Sequence, residues 1–273
     1  MEKIMLNPTP NGTLPLTFPY SDTSPSHDEA QTSSPIRATR NVLDTTKLWP
    51  NGSTLKIALY DANEADTSLI KDAINKWQPY VNLKFEFLSG GEGDIRIRLS
   101  HRVNGGFTVP GTDAKNIPLG QPTMVVQSDT QSARFPFVVT HEFGHALGAL
   151  HAHQHPDADI PYDPEKTYRY VADHWGWTEE DLLNNLYPLP PEDQNRYLPY
   201  DRRSVMHYRI RPEWTTDGVD RPENWKISRG DIRQMRKAYP KTRQMPSPAN
   251  ATQGTLNFLR DILGVPTLIR PGA

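Results

Sequence analysis

Apolar positions first fall into a regular rhythm at residues 54–60, Thr-Leu-Lys-Ile-Ala-Leu-Tyr, where alternation predicts a strand. Leu69, Ile70, Ala73, Ile74 and Trp77 then form a one-sided stripe of helical period, with Asp66 or Thr67 placed to cap it. Alternation returns at 83–87. After a Gly-rich turn it appears again at Ile95, Ile97 and Leu99, interleaved with Arg96 and Arg98, as suits a half-exposed strand. Met124-Val125-Val126 is a further short strand candidate. The longest helical pattern covers 135–150, with Pro136 in its first turn. Residues 156–201 read mostly as loop, broken by a helix over 178–186 that opens on a Thr-Glu-Glu-Asp cap. Ser228 caps a last helix through Ala238, stopped by Pro240. Strand, helix, strands, long helix and an irregular half ending in a helix predict an α+β domain with a mixed sheet and two supporting helices.

The flanks differ from this core. Residues 1–44 are rich in Pro, Ser, Thr and Asn and read as a disordered leader or as a propeptide. The folded stretch is 45–240, divided near residue 151 into an upper and a lower part. The tail, 241–273, is again polar except for Leu256, Phe258, Leu259, Ile262 and Leu263, either docked on the domain or a partner-binding helix. With 273 residues and a net charge of -2, the chain carries no charge signature of nucleic-acid binding. It has no cysteine, which excludes disulfides, thiolate metal sites and cysteine nucleophiles. No segment is long enough to span a membrane, and no signal peptide is visible at the N-terminus. Asn-x-Ser/Thr matches at Asn11, Asn51 and Asn250 matter only in a glycosylating pathway.

Chemistry concentrates in His141-Glu142-Phe143-Gly144-His145, on the predicted long helix. Residues four apart share a face, so both imidazoles reach one ion, and Glu142 can contact a water on the metal without ligating it. A catalytic zinc site needs a third protein ligand and one open position. Gly148 can end the helix in the left-handed conformation and turn His151 back toward the metal. The short motif arises by chance in about one chain in a hundred of this composition, and the long form in the order of a few per 100,000. His153 and His155 lie beyond the turn and read as surface groups or as groups supporting the ligands; His27, His101 and His174 have no patterned partner.

Ser204-Val205-Met206-His207-Tyr208 follows about fifty residues downstream, and the whole pattern resembles the metzincin zinc peptidases. Leu48-Trp49-Pro50-Asn51-Gly52, the 109–113 and 121–124 stretches, His153-Gln154-His155-Pro156 and Ile227-Ser228-Arg229-Gly230-Asp231 place the resemblance with the astacin-like branch, among its cysteine-free microbial relatives. It covers roughly residues 45–240. It implies a zincin fold with one catalytic Zn2+ on His141, His145 and His151, and Glu142 as the base in endopeptidase chemistry. It further implies Met206 as a hydrophobic floor beneath the metal, and Tyr208 as a zinc ligand or oxyanion donor. Substrates would be proteins or peptides, bound extended in a cleft between the two parts, and the enzyme would be a monomer. Secretion is implied by the family alone, so the compartment stays open. Arg209 and Arg211 follow the Met-containing turn, where this clan builds the pocket for the residue after the scissile bond. They would favour acidic side chains there, or else be solvated or paired with nearby acids. One position departs from the family: the residue after the third histidine is Ala152 rather than glutamate, which removes the usual anchor for a mature N-terminus. A non-catalytic module would have lost a ligand or the glutamate, and none is lost.

Overall fold

Of the predicted strands, all four form in the computed structural model, which describes residues 42–189 and 198–241. Thr54–Tyr60 (β1), Lys84–Ser89 (β2), Ile95–Ser100 (β3) and Met124–Gln127 (β5) lie in one sheet. The fifth member, Gly106–Thr108 (β4), sits at its edge in the order β2-β1-β3-β5-β4. β1 runs parallel to β2 and β3, and β3 parallel to β5, whereas β4 is antiparallel to β5, so the sheet is mixed. The register sets Ile57 opposite Phe87 and Ile95, and Ile97 opposite Met124. β4 was not expected: three residues are too few to display alternation.

Two helices supply the apolar cover. Glu64–Asn75 (α1) starts three or four residues earlier than the sequence indicates, because Asn63 is the cap and accepts from the Asp66 backbone N–H. Asp66 lies inside the first turn, where its carboxylate accepts from the Asn63 amide at 2.7 Å. Phe135–Ala146 (α2) carries the histidines and is buried along almost its whole length. Trp77 is fully buried between the two, and its indole N–H donates to the Thr140 carbonyl at 2.9 Å. Burying a side chain of this size stabilises the contact by roughly 2–3 kcal/mol, and the hydrogen bond fixes the height of α2 over the sheet.

The end of α2 is fastened from both ends of the described chain. A helix leaves its last carbonyls without intrahelical partners. Here the Trp49 indole N–H donates to Ala146 O at 2.7 Å, and the Tyr239 hydroxyl donates to Leu147 O at 2.8 Å. Asp44 N–H donates to Gly148 O, and Leu43 bridges to Ala149. Val42 and Leu43 are buried, so residues read as leader already belong to the packed body. Residues 1–41 and 242–273, including the apolar patch of the tail, lie outside the described residues.

The irregular half contains one helix that the sequence reading assigned to loop. Pro164–Trp175 (α3) has Asp163 as its N-cap, Pro164 in the first turn and Gly176 left-handed after its end. Its buried side is thin, with Thr167 and Val171, and is widened by tyrosine and tryptophan rather than aliphatic residues. Glu179–Asn185 (α4) and Arg229–Ala238 (α5) begin on the expected caps, Thr178 and Ser228, each in a reciprocal capping box. Among the described residues, no helix is long and apolar enough to cross a membrane.

Candidate metal centre

The histidines of α2 and the turn after it converge. Gly148 has φ +92, a conformation that an L side chain rarely adopts, and it reverses the chain after Leu147 so that His151 faces back toward α2. The ligand nitrogens of His141, His145 and His151 lie within 4.8 Å of one another, and Nε2 of His145 is 3.0 Å from Nε2 of His151.

Each ring is held by its other nitrogen. His141 Nδ1 is 2.7 Å from Val205 O and His145 Nδ1 is 2.7 Å from Ala149 O, while His151 Nδ1 is 3.2 Å from Gln154 Oε1. A carbonyl only accepts, so each Nδ1 must carry the proton and each Nε2 presents a lone pair inward. Burial pushes His141 down to about 4 and His145 to about 3, with His151 also well below the ordinary range; neighbouring imidazoles add to the shift at His145 and His151. Three neutral, oriented imidazoles at this spacing are the donor set that zinc takes in a catalytic site, so the residues present fit the ion.

Glu142 is buried beside the first ligand and accepts from the Thr108 hydroxyl at 2.9 Å. Burial raises its carboxyl to about 8, partly offset by the Thr108 bond. Tyr208 packs its ring 4.0 Å from His151 and 5.8 Å from His141, and burial followed by the Glu142 charge raises its phenol well above the ordinary value. Met206 lies against Gly144, where an added Cβ would meet the Met206 sulfur, so the two turns approach closely at this glycine and a larger residue would displace the methionine. The backbone N–H of Ala152 donates to Met206 O, which ties the third-ligand turn to the Met-containing turn. Ala152 itself is fully buried.

Several partners escaped the sequence reading. His153 is not at the surface: it is fully buried, stacks on Tyr208 at 4.5 Å and has Nε2 3.0 Å from Asn185 O. His155 is buried too, and its Nδ1 accepts from Asp157 N–H. His101 and His174 are exposed; His27 lies outside the described residues. Thr108 and the fork of Arg134 on Glu223, at 2.8 and 2.9 Å, carry no local signal in the sequence, and Gln154 stands out only within the resemblance. Arg209 and Arg211 line a pocket beside His141, Glu142 and Tyr208 together with Trp175 and Trp214. Arg209 is forked onto Asp220 at 3.0 and 3.1 Å, and Arg211 lies over the Tyr170 ring.

Comparison with known proteins agrees with this geometry. The family model described as Astacin, a peptidase family, matches residues 41–213. Bone morphogenetic protein 1 of Xenopus laevis is 24% identical over 212 residues, 71% of this chain and 27% of that protein. Zinc metalloproteinase dpy-31 of Brugia malayi is 32% identical over 145 residues, 52% of this chain and 21% of that protein. The chain thus spans only about a quarter of the length of these relatives. Among solved structures, myroilysin is 34% identical with a TM-score of 0.69, over 73% of this chain and 98% of that one. With the family model covering well over half of its residues, this chain belongs to the astacin family of zinc metallopeptidases.

Proposed function

We propose that the chain hydrolyses internal peptide bonds, acting as a monomer, with His141, His145 and His151 holding one zinc ion and Glu142 as general base. The observation that carries this reading is the set of three buried imidazoles, each locked through Nδ1, beside one buried carboxylate. Zinc bound by three such ligands supplies Lewis acidity that lowers the pKa of water toward neutrality. Glu142 takes the proton of the attacking water and delivers it to the departing amine nitrogen. Thr108, on the edge strand, holds one carboxylate oxygen so that the other faces the substrate. β4 is an open edge against which an extended peptide can pair by main-chain hydrogen bonds. Gly148 and Met206 support the ligands, by turning the chain and by packing beneath α2.

Tyr208 serves as an oxyanion donor. Tyr208→Phe is expected to lose roughly 10- to 100-fold in kcat with little change in KM, because the hydroxyl matters only where negative charge develops. Zinc content should stay at one per chain. An unchanged kcat would remove Tyr208 from the mechanism.

Digestion of a peptide library by the zinc-loaded chain, before and after chelation, tests the whole reading. Cuts should be internal, vanish with the metal and return when zinc is restored. The same digest reports on Arg209 and Arg211, proposed walls of the pocket for the residue after the scissile bond. Cleavage that survives full metal removal would end the zinc-dependent assignment, and cut sites without acidic enrichment would end the role of the arginines.

A further inference from the structure

A second groove opens where the Met-containing turn meets the start of α5. It is lined by Arg202 and Arg203 before the turn, Lys226 on the following loop, and Arg229 and Arg233 on α5. All five side chains are exposed. Among the described residues none of the five forms an ion pair, although Lys47, Lys166, Arg134, Arg169, Arg209 and Arg221 all do. The two acids in the groove are already engaged. Glu223 is forked by Arg134, and Asp201 accepts from the Ser228 hydroxyl, Gly230 N–H and Arg203 N–H. A chain of net charge -2 therefore presents one face carrying five exposed cations outside any ion pair, against the single carboxylate of Asp201, which is held by neutral donors.

This face continues the catalytic cleft. Glu223 lines both the groove and the pocket beside His141 and Glu142. Trp225, 48% exposed, stands at the junction, stacked on Phe137 at 6.1 Å, and the Phe137 ring is 5.8 Å from that of His141. A polypeptide leaving the metal site across Phe137 and Trp225 meets Lys226 and then the arginines, advancing about 3.3 Å per residue when extended. We propose that this groove docks an acidic stretch of the protein substrate, a few residues from the bond that is cut. The inference rests on the peptidase reading above. Carboxylates are the complement of five exposed cations, and continuity with the cleft favours a polypeptide over a separate polyanion. Each exposed contact contributes only about 1.5- to 5-fold in affinity, so the preference comes from several acting together and from steering of the encounter.

The test uses the zinc-loaded full chain and two peptides sharing one cleavable core, extended at either end by Asp/Glu or by Asn/Gln. The acidic extension should lower KM about tenfold at low ionic strength with kcat unchanged, and the advantage should disappear near 1 M salt, where screening acts within about 3 Å. A variant combining Arg203→Gln, Arg229→Gln and Arg233→Gln should lose the advantage yet cleave the bare core as before. The proposal is overturned if that variant keeps the full advantage, or if its cleavage of the bare core drops equally. Heparin binding that depends on the three arginines, with equal KM for both peptides, would overturn it in favour of a polysaccharide. Fluorescent acidic peptide should also bind the inactive Glu142→Ala protein more tightly than its neutral twin. That arm judges the groove even if no peptide is cleaved, while turnover of the bare core judges the peptidase reading by itself.

Discussion

Glu142→Ala is expected to lower kcat/KM on an unfolded protein substrate by about 10³-fold or more, with zinc content and fold preserved. The size of the loss follows from position. Glu142 stands beside the first imidazole with its carboxylate held by Thr108, while the three histidine rings are oriented by other groups, so it is free of metal duty. The fold should tolerate the change for a separate reason. Burial raises the carboxyl to about 8, and among the described residues Glu142 forms no ion pair, so its deletion strands no cation. What is lost is chiefly the Thr108 bond, about 1 kcal/mol, or a fall in Tm of a few degrees for a domain of this size. Side-by-side rates, zinc stoichiometry and thermal melts check all three statements. Turnover within tenfold of the unmutated chain would show that another group moves the proton.

How far the site could be read from sequence depends on how local each contact is. His141, His145 and His151 fall within a helix and the turn after it, so spacing alone brings them together, and Gly148 announces the turn through its conformational freedom. Met206 was legible only through family resemblance, because nothing in its own pentapeptide points to Gly144. Contacts between distant segments left no local mark. Arg134 and Glu223 are 89 residues apart, and the Trp49 and Tyr239 bonds to the end of α2 span 97 and 92. The fold shows the same division. Three strands were readable from alternation and β5 from its short apolar run, whereas β4, Gly106–Thr108, shows neither. α3 kept its capping signals, Asp163, Pro164 and Gly176, but its apolar stripe is built from aromatic residues with polar atoms, which weakens the periodic pattern. His153 and His155 were left between surface groups and groups supporting the ligands, because a histidine pattern does not reveal that Tyr208 and Asn185 will close over His153.

Asp231→Ala should cause a large loss of stability, and should weaken zinc binding from a distance. Asp231 is 1% exposed and does two tasks at once. It closes the capping box of α5 by accepting from Ser228 N–H at 2.8 Å. It also reaches the Met-containing turn, accepting from the Ser204 hydroxyl at 2.6 Å and from Val205 N–H at 2.9 Å. Burial pushes its carboxyl above the ordinary value while the bonds from Ser204, Ser228 and Val205 pull it back. Alanine would strand these donors in a dry interior, at about 1–3 kcal/mol for each that water cannot reach. The sum is on the order of 3–5 kcal/mol, or a Tm lower by roughly 10 °C or more. The metal effect follows through Val205, whose carbonyl holds His141 Nδ1 at 2.7 Å. Once the turn loosens, that ring loses its fixed tautomer and orientation, a type of change that costs about 10- to 100-fold in metal affinity. Asp231→Asn keeps the shape and one acceptor oxygen, so it should fall between the two. Chelator competition and melts on the three proteins separate the effects. Unaltered zinc affinity with a lower Tm in Asp231→Ala would confine Asp231 to capping α5, and both values unchanged would refute its link to the turn altogether.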